Sequence, residues 1–240
     1  MSGRLVFLVG PSGAGKDSLI NFARRQLPGD VDVRFARRVI TRPMSAGAEQ
    51  HLAVSPFQFD LLRQDGEFVM HWSAHGDQFG VDREICDWLD DGAVVVVAGS
   101  RTFLPSALEQ FPDMVVVHVK ASTEIRRARL NACLRLDASA VEARLQRGAD
   151  WKMPKGVPAI ELVNEGDLPT VGRELVALLK AQAKAQADAA RSSTAATTLV
   201  KASRRTSAAP HARTAASPAE PMTRSEPRKK AAGSSPSARR

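Results

Sequence analysis

Only two cysteines occur in 240 residues, Cys86 and Cys133. They fall on separate expected elements with no metal-ligand spacing around them, a usage that suits a reduced, cytosolic protein and leaves neither as a catalytic thiol. Long apolar runs are equally scarce. The longest, Ala93 to Ala98, is far short of the roughly 20 residues a membrane span needs. The apolar N-terminus shows no small-residue cleavage site, so no signal peptide is expected. The histidines His51, His71, His75 and His118 are scattered and form no Ser-His-Asp or metal-histidine constellation.

The net charge of +8 belongs to one end of the chain. Residues 1–180 carry 22 Lys/Arg against 23 Asp/Glu, whereas residues 181–240 carry 12 against 3. From about Ala190 the chain is Ala, Ser, Thr, Pro and Arg with scarcely a large apolar residue, so it cannot bury enough surface to offset its ordering entropy, and residues 190–240 are expected to be a disordered basic tail. Its clusters Lys201-Ala202-Ser203-Arg204-Arg205 and Arg228-Lys229-Lys230 could touch nucleic acid or an acidic surface, although a solvated extension is the plainer reading. The remainder, in a chain that is 43% hydrophobic, is long enough for one sizeable core with a small appended lobe.

What is present is a phosphate loop in its proper context. Gly10-Pro11-Ser12-Gly13-Ala14-Gly15-Lys16 follows the apolar run Leu5–Val9 and precedes a helical pattern, so the spacing G-x-x-x-x-G-K sits between a strand and a helix. Glycines let successive backbone N–H groups turn inward around a phosphate. The start of the helix adds its positive end, and the Lys16 ammonium reaches the terminal phosphates. Asp17 stands where a Ser or Thr hydroxyl usually meets magnesium. A carboxylate there is either a hard-oxygen ligand for Mg²⁺ or a first-turn acid favoured by the helix dipole.

Further along, helices are expected over Lys16–Leu27, from the capping box Ser55-Pro56-Phe57-Gln58 to Gly66, and over Asp82–Asp91, Leu104–Gln110, Ser122–Asn131, Ala138–Arg147 and Leu168–Ala189. Strands are expected over Arg34–Thr41, Phe68–Ser73, Val94–Val97, Met114–Val119 and Ile160–Val163. The β-branched runs read as parallel strands buried on both faces, which makes the fold α/β, a parallel sheet covered by helices on both sides. Ligands of such sheets bind beyond the carboxyl ends of the strands, and arginines gather there: Arg37, Arg38 and Arg42, then Arg101, then the helical set Arg126, Arg127, Arg129, Arg135, Arg144 and Arg147. Arg126 and Arg127 read as solvated surface, whereas Arg144 and Arg147 sit beside a loop that could close over a phosphate. Glu49 and His51, in the basic loop, are expected substrate contacts.

With these residues in hand, residues 3–180 resemble the guanylate-kinase branch of the small P-loop kinases. The resemblance is carried by Gly10–Lys16, Thr41-Arg42, Gly66-Glu67-Phe68, Gly80, the stretch Ser122–Arg147 and Asn164-Glu165-Gly166. The guanine-reading parts differ. Ser73 and Val81 replace the branch's glutamate and threonine, Ser45 replaces its second phosphate-binding arginine, and the chain contains no tyrosine to hold an acceptor phosphate. A site built to pair a guanine edge loses its selectivity without those groups, so another acceptor is implied.

A further resemblance, to the ribose 1,5-bisphosphate phosphokinase family of phosphonate breakdown, rests on Gly15-Lys16-Asp17-Ser18, Arg38, Ile40-Thr41-Arg42, Ser45-Ala46-Gly47, Glu49, His51, Phe79-Gly80-Val81 and Gly99-Ser100-Arg101. Where that family has R-G-R-E in its lid, this chain has Cys133-Leu134-Arg135-Leu136. The resemblance implies a cytoplasmic kinase domain over 1–185, with an acceptor lobe at about 37–83 and a lid at about 131–147. ATP would be the donor, with Mg²⁺. Gly10, Pro11, Ser12, Gly13, Ala14, Gly15, Lys16, Asp17, Ser18 and Asn164 would hold the nucleotide and Asp17 the metal. Arg38, Arg42, Glu49, His51 and Arg101 would bind a small phosphorylated sugar, and Lys16, Arg135, Arg144 and Arg147 would act in the transfer. No membrane partner is implied. The alternatives are a nucleoside monophosphate kinase and a catalytically silent module that binds a protein.

Overall fold

The computed structural model describes residues 2–27, 29, 32–43, 51–74, 76–134, 138–147 and 149–206. The chain divides into two compact units, Met1–Thr198 and Leu199–Arg240. Of the second, the described part is the end of one helix.

Five parallel strands form the main sheet: β1 (Arg4–Val9), β2 (Val33–Phe35), β7 (Val94–Ala98), β8 (Val115–Lys120) and β9 (Ala159–Val163), in the order β2-β7-β1-β8-β9. The two apolar runs read from the sequence lie at its centre. Alternate side chains of β1 enter opposite layers, Leu5, Phe7 and Val9 on one face and Val6 and Leu8 on the other, and β7 repeats this with Val95 and Val97 against Val94, Val96 and Ala98. A strand buried on both faces has no polar position to spare, which is why these stretches are unbroken in the sequence. Helices α1 (Lys16–Gln26) and α7 (Leu168–Thr206) close one face, α7 through Val171, Leu175 and Leu179 at four-residue spacing. On the other face lie α3 (Glu84–Asp90) and α4 (Leu104–Gln110).

A second sheet has the order β4-β3-β6-β5, from β4 (Leu52–Ala53), β3 (Arg38–Ile40), β6 (Asp77–Asp82) and β5 (Phe68–Ala74). It shares the core of the second face of the main sheet, where Trp72 stacks between Phe79 and Phe103 at ring separations of 5.5 and 5.0 Å. Helix α2 (Pro56–Gln64) covers it and starts at the expected capping box: the Ser55 N–H donates to Gln58 Oε1 at 2.9 Å and the Gln58 N–H to Ser55 Oγ at 3.2 Å. Helices α5 (Thr123–Leu134) and α6 (Ala138–Gln146) pair through Leu130, Val141 and Leu145.

Three expectations need correction. The segment Arg34–Thr41 is two strands in two different sheets, because the chain leaves β2 at Ala36 and enters β3 at Arg38; both pieces are apolar enough to read as one. Asp82 belongs to β6, where its Oδ1 accepts the Glu84 N–H at 2.9 Å, so α3 starts later than expected. The closing helix runs on to Thr206, past Ala189. Neither glycine nor proline interrupts the chain between Gly172 and Pro210, and alanine-rich sequence favours helix without any apolar face to bury. The expected tail is thus helical over 190–206, and residues 207–240 lie outside the described residues. Among the described residues no helix is long and apolar enough to cross a membrane.

Candidate active site at the carboxyl ends of the parallel strands

The phosphate loop leaves the central strand and turns into α1 through two glycines with left-handed backbone, Gly13 (φ 77°) and Gly15 (φ 90°). Both are closely approached. A Cβ on Gly13 would stand 2.9 Å from the Arg126 carbonyl oxygen, and one on Gly15 would collide with Asn164 Nδ2. Lys16 reaches back over the loop, its Nζ donating to the Gly10 carbonyl at 2.8 Å and the Pro11 carbonyl at 3.4 Å. The ammonium is thereby held at the mouth of the loop, where phosphates of a nucleotide meet backbone N–H groups. Ser18 is exposed on the first turn of α1.

Three side chains from distant parts of the chain hold the loop by its carbonyls. Asn164, 2% exposed and just beyond β9, donates from Nδ2 to the Ala14 carbonyl at 2.7 Å, and its buried Oδ1 has no partner. Arg126 donates from Nε to the Ser12 carbonyl at 2.9 Å and from Nη2 to the Leu145 carbonyl at 3.2 Å, tying loop, α5 and α6 together. Arg129 Nη1 donates to the Ala14 carbonyl at 3.4 Å. Arg126 was expected on the surface and is buried instead; its neighbour Arg127 is exposed, as expected, and pairs with Glu142 at 2.8 Å. The three-residue spacing of Arg126 and Arg129, which puts both on one helical face, was the available signal.

Asp17 projects from the first turn of α1 toward the second sheet. Its Oδ1 accepts from Arg38 Nη2 at 2.8 Å, with the arginine side chain 9% exposed and the carboxylate 39%. No group of three or more metal-binding side chains occurs among the described residues. Magnesium in kinase sites needs only one or two carboxylates beside phosphates and water. Asp17 Oδ2, which has no protein partner among the described residues, fits that requirement.

Arginines from three segments come close to one another. Arg42, after β3, lies 3.7 Å from Asp77. Arg144 is lowered from the ordinary arginine pKa by burial and then by Arg42 and Arg147, with Asp77 opposing. Arg101, just beyond β7, is lowered by burial and by Arg126; it donates to the Arg147 carbonyl at 2.9 Å and lies over the Trp151 ring at 5.4 Å. Guanidiniums stay charged under such shifts, which come first from burial and then from neighbouring guanidiniums, and half-buried arginines set side by side suit an anion. His118, on β8, meets the edge of Trp151 at 5.4 Å and is lowered by burial, then by Lys120, Arg101 and Lys16 against Glu161.

His51 is 5% exposed, with Nε2 2.9 Å from the Arg42 carbonyl. The ring is thereby placed against the Arg42 turn, on the acceptor side. Glu49 and Arg135 lie outside the described residues. Asp77 was missed, since a lone acid between two glycines looks like ordinary turn chemistry. At the positions where guanylate kinases read their base, Val81 is fully buried and Ser73 is exposed.

No family model matches the chain. Its sequence is 45% identical over 181 residues to the ribose 1,5-bisphosphate phosphokinase PhnN of Burkholderia pseudomallei, covering 75% of this chain and 97% of that one. The protein of the same name from Thiobacillus denitrificans is 38% identical over 177 residues, covering 74% and 93%. The chain belongs to the ribose 1,5-bisphosphate phosphokinase family. Among solved structures, guanylate kinase from Anaplasma phagocytophilum superposes with a TM-score of 0.56 at 18% identity, covering 75% of this chain and 86% of that one. The fold of this phosphokinase relative is thus guanylate-kinase-like.

Proposed function

We propose that this chain transfers the γ-phosphoryl group of ATP to the 1-phosphate of ribose 1,5-bisphosphate. A 1-phosphate oxygen attacks the γ-phosphorus, the bond from that phosphorus to the β,γ-bridging oxygen breaks, and the products are ADP and 5-phosphoribosyl 1-diphosphate. The observation that carries the reading is the acceptor side of the site. It offers Arg42, Arg144 and Arg147 with Asp77 as the acid among them. Such a surface suits an acceptor that is mostly phosphate.

The attacking oxygen is already ionised, so no strong general base is needed, and positioning with charge neutralisation carries the catalysis. Lys16 holds the β and γ phosphates, and Arg38, Arg42 and Arg101 receive the acceptor's two phosphates. Arg144 and Arg147 face the transferring group from α6 and the turn after it. Magnesium, when bound, neutralises charge on the β and γ oxygens, and Asp17 Oδ2 is the protein atom suited to hold it. The setting is cytoplasmic phosphonate breakdown.

The test is release of ADP with ribose 1,5-bisphosphate, GMP, AMP or no acceptor, in the presence and absence of magnesium. The expected result is magnesium-dependent turnover with the bisphosphate. Faster phosphorylation of GMP would replace this reading with a nucleotide kinase.

A further inference from the structure

Asp17 and Arg38 belong to the two halves of the site that a kinase must bring together. Asp17 follows Lys16 on the helix that opens from the phosphate loop, and Arg38 is the first residue of β3, which opens the second sheet. Their 2.8 Å contact spans the boundary between the nucleotide side and the acceptor side. A guanidinium 9% exposed requires a counter-charge, because leaving it unpaired in a low-dielectric surrounding is strongly unfavourable. Its other face lies over the Phe79 ring at 5.8 Å, and that ring is stacked on Trp72. The arginine is thereby held against both a carboxylate and an aromatic ring.

Resting on the reading of Arg38 as an acceptor-phosphate ligand, we propose that Asp17 is a positioning residue for acceptor binding: it holds the Arg38 guanidinium aimed at the acceptor phosphate and joins the phosphate-loop helix to the acceptor lobe. This role is separate from any part Asp17 takes in holding magnesium, since one carboxylate oxygen serves Arg38 and the other remains for the cation.

The sign of one measurement separates positioning from simple electrostatics. A carboxylate near a phosphate site repels the ligand, so neutralising it at fixed geometry tightens binding. If the carboxylate acts by orienting Arg38, neutralising it releases a long side chain with several rotors, and binding weakens although a repulsive charge has been removed.

The experiment titrates ribose 1,5-bisphosphate onto the full-length protein by calorimetry, with chelator present and no nucleotide, so that no metal bridge contributes. Asp17→Asn and Asp17→Ala each weaken binding by roughly tenfold, a usual size for coupled neighbours. Arg38→Ala weakens it at least as much, and Asp17→Asn combined with Arg38→Ala is no weaker than Arg38→Ala alone. ADP binding under the same chelated conditions falls by much less than bisphosphate binding, because Lys16 and the loop amides are untouched. Wild-type or tighter bisphosphate binding by both Asp17 variants, with Arg38→Ala weakened, overturns the positioning role and leaves the acceptor reading standing. Unchanged binding by Arg38→Ala overturns both. A parallel loss of ADP binding in the Asp17 variants assigns the effect to a damaged phosphate loop and likewise overturns the proposal.

Discussion

Replacing Arg126 by methionine keeps the aliphatic stem and removes the guanidinium that ties the phosphate loop to the lid helices. Two backbone carbonyls lose a charged donor, Ser12 at 2.9 Å and Leu145 at 3.2 Å. Hydrogen bonds to a charged group contribute about 1.5–3 kcal/mol each. Part of this is offset, because the guanidinium no longer has to be held out of water, a cost visible in its lowered pKa. A net destabilisation of about 2–4 kcal/mol follows, which for a domain of this size is a drop of roughly 5–15 °C in Tm. Thermal melts with and without ATP measure it, with Arg127→Met as the control. Arg127 occupies the next position on α5, but its pair with Glu142 is exposed, and its replacement moves the melt by no more than replicate scatter. The KM for ATP of Arg126→Met rises by roughly tenfold or more, since Ser12 belongs to the loop that receives the phosphates. If Arg126→Met melts with the wild type and keeps its KM for ATP, the clamp is not what holds the loop.

Gly15→Ala places a methyl group into the Asn164 amide at a backbone φ of 90°, so nucleotide binding measured by calorimetry is lost while the circular dichroism of the sheet and helices persists. Arg42→Ala raises the KM for the acceptor while the KM for ATP stays within about twofold, because Arg42 is on the acceptor side; a lost charge-assisted phosphate contact costs about 2–4 kcal/mol, and equal damage to both constants would contradict the placement. His118 has its pKa held below the ordinary 6.5 chiefly by burial. The unfolded chain therefore binds more protons below about pH 6.5, so this group's contribution to stability is present above that pH and is lost as pH falls toward the folded-state pKa. Denaturant melts of His118→Gln across pH 5–8 should show a flatter acid limb than the wild type, and an identical limb would refute the assignment.

Local rules carried much of this protein in its sequence. The loop Gly10–Lys16 is legible because phosphate binding needs glycines and a lysine at fixed offsets between a strand and a helix. Val94–Ala98 is legible because a strand buried on both faces tolerates no polar residue, and Ser55–Gln58 because a capping box is closed by neighbours. The second sheet was only partly legible, since β3 and β6 are short and their pairing, Val39 with Gly80 and Ile40 with Phe79, depends on residues about forty positions apart. The arginines behaved likewise. Their residue type announced an anion site, but only tertiary structure decided that Arg126 is a buried clamp and Arg127 a surface charge, that His51 lies against the Arg42 turn, and that Asp17 faces Arg38. Side chains adjacent in sequence on a helix point about 100° apart, so which one meets the loop is set by how α5 lies across it, a matter of packing between distant segments that no local pattern encodes.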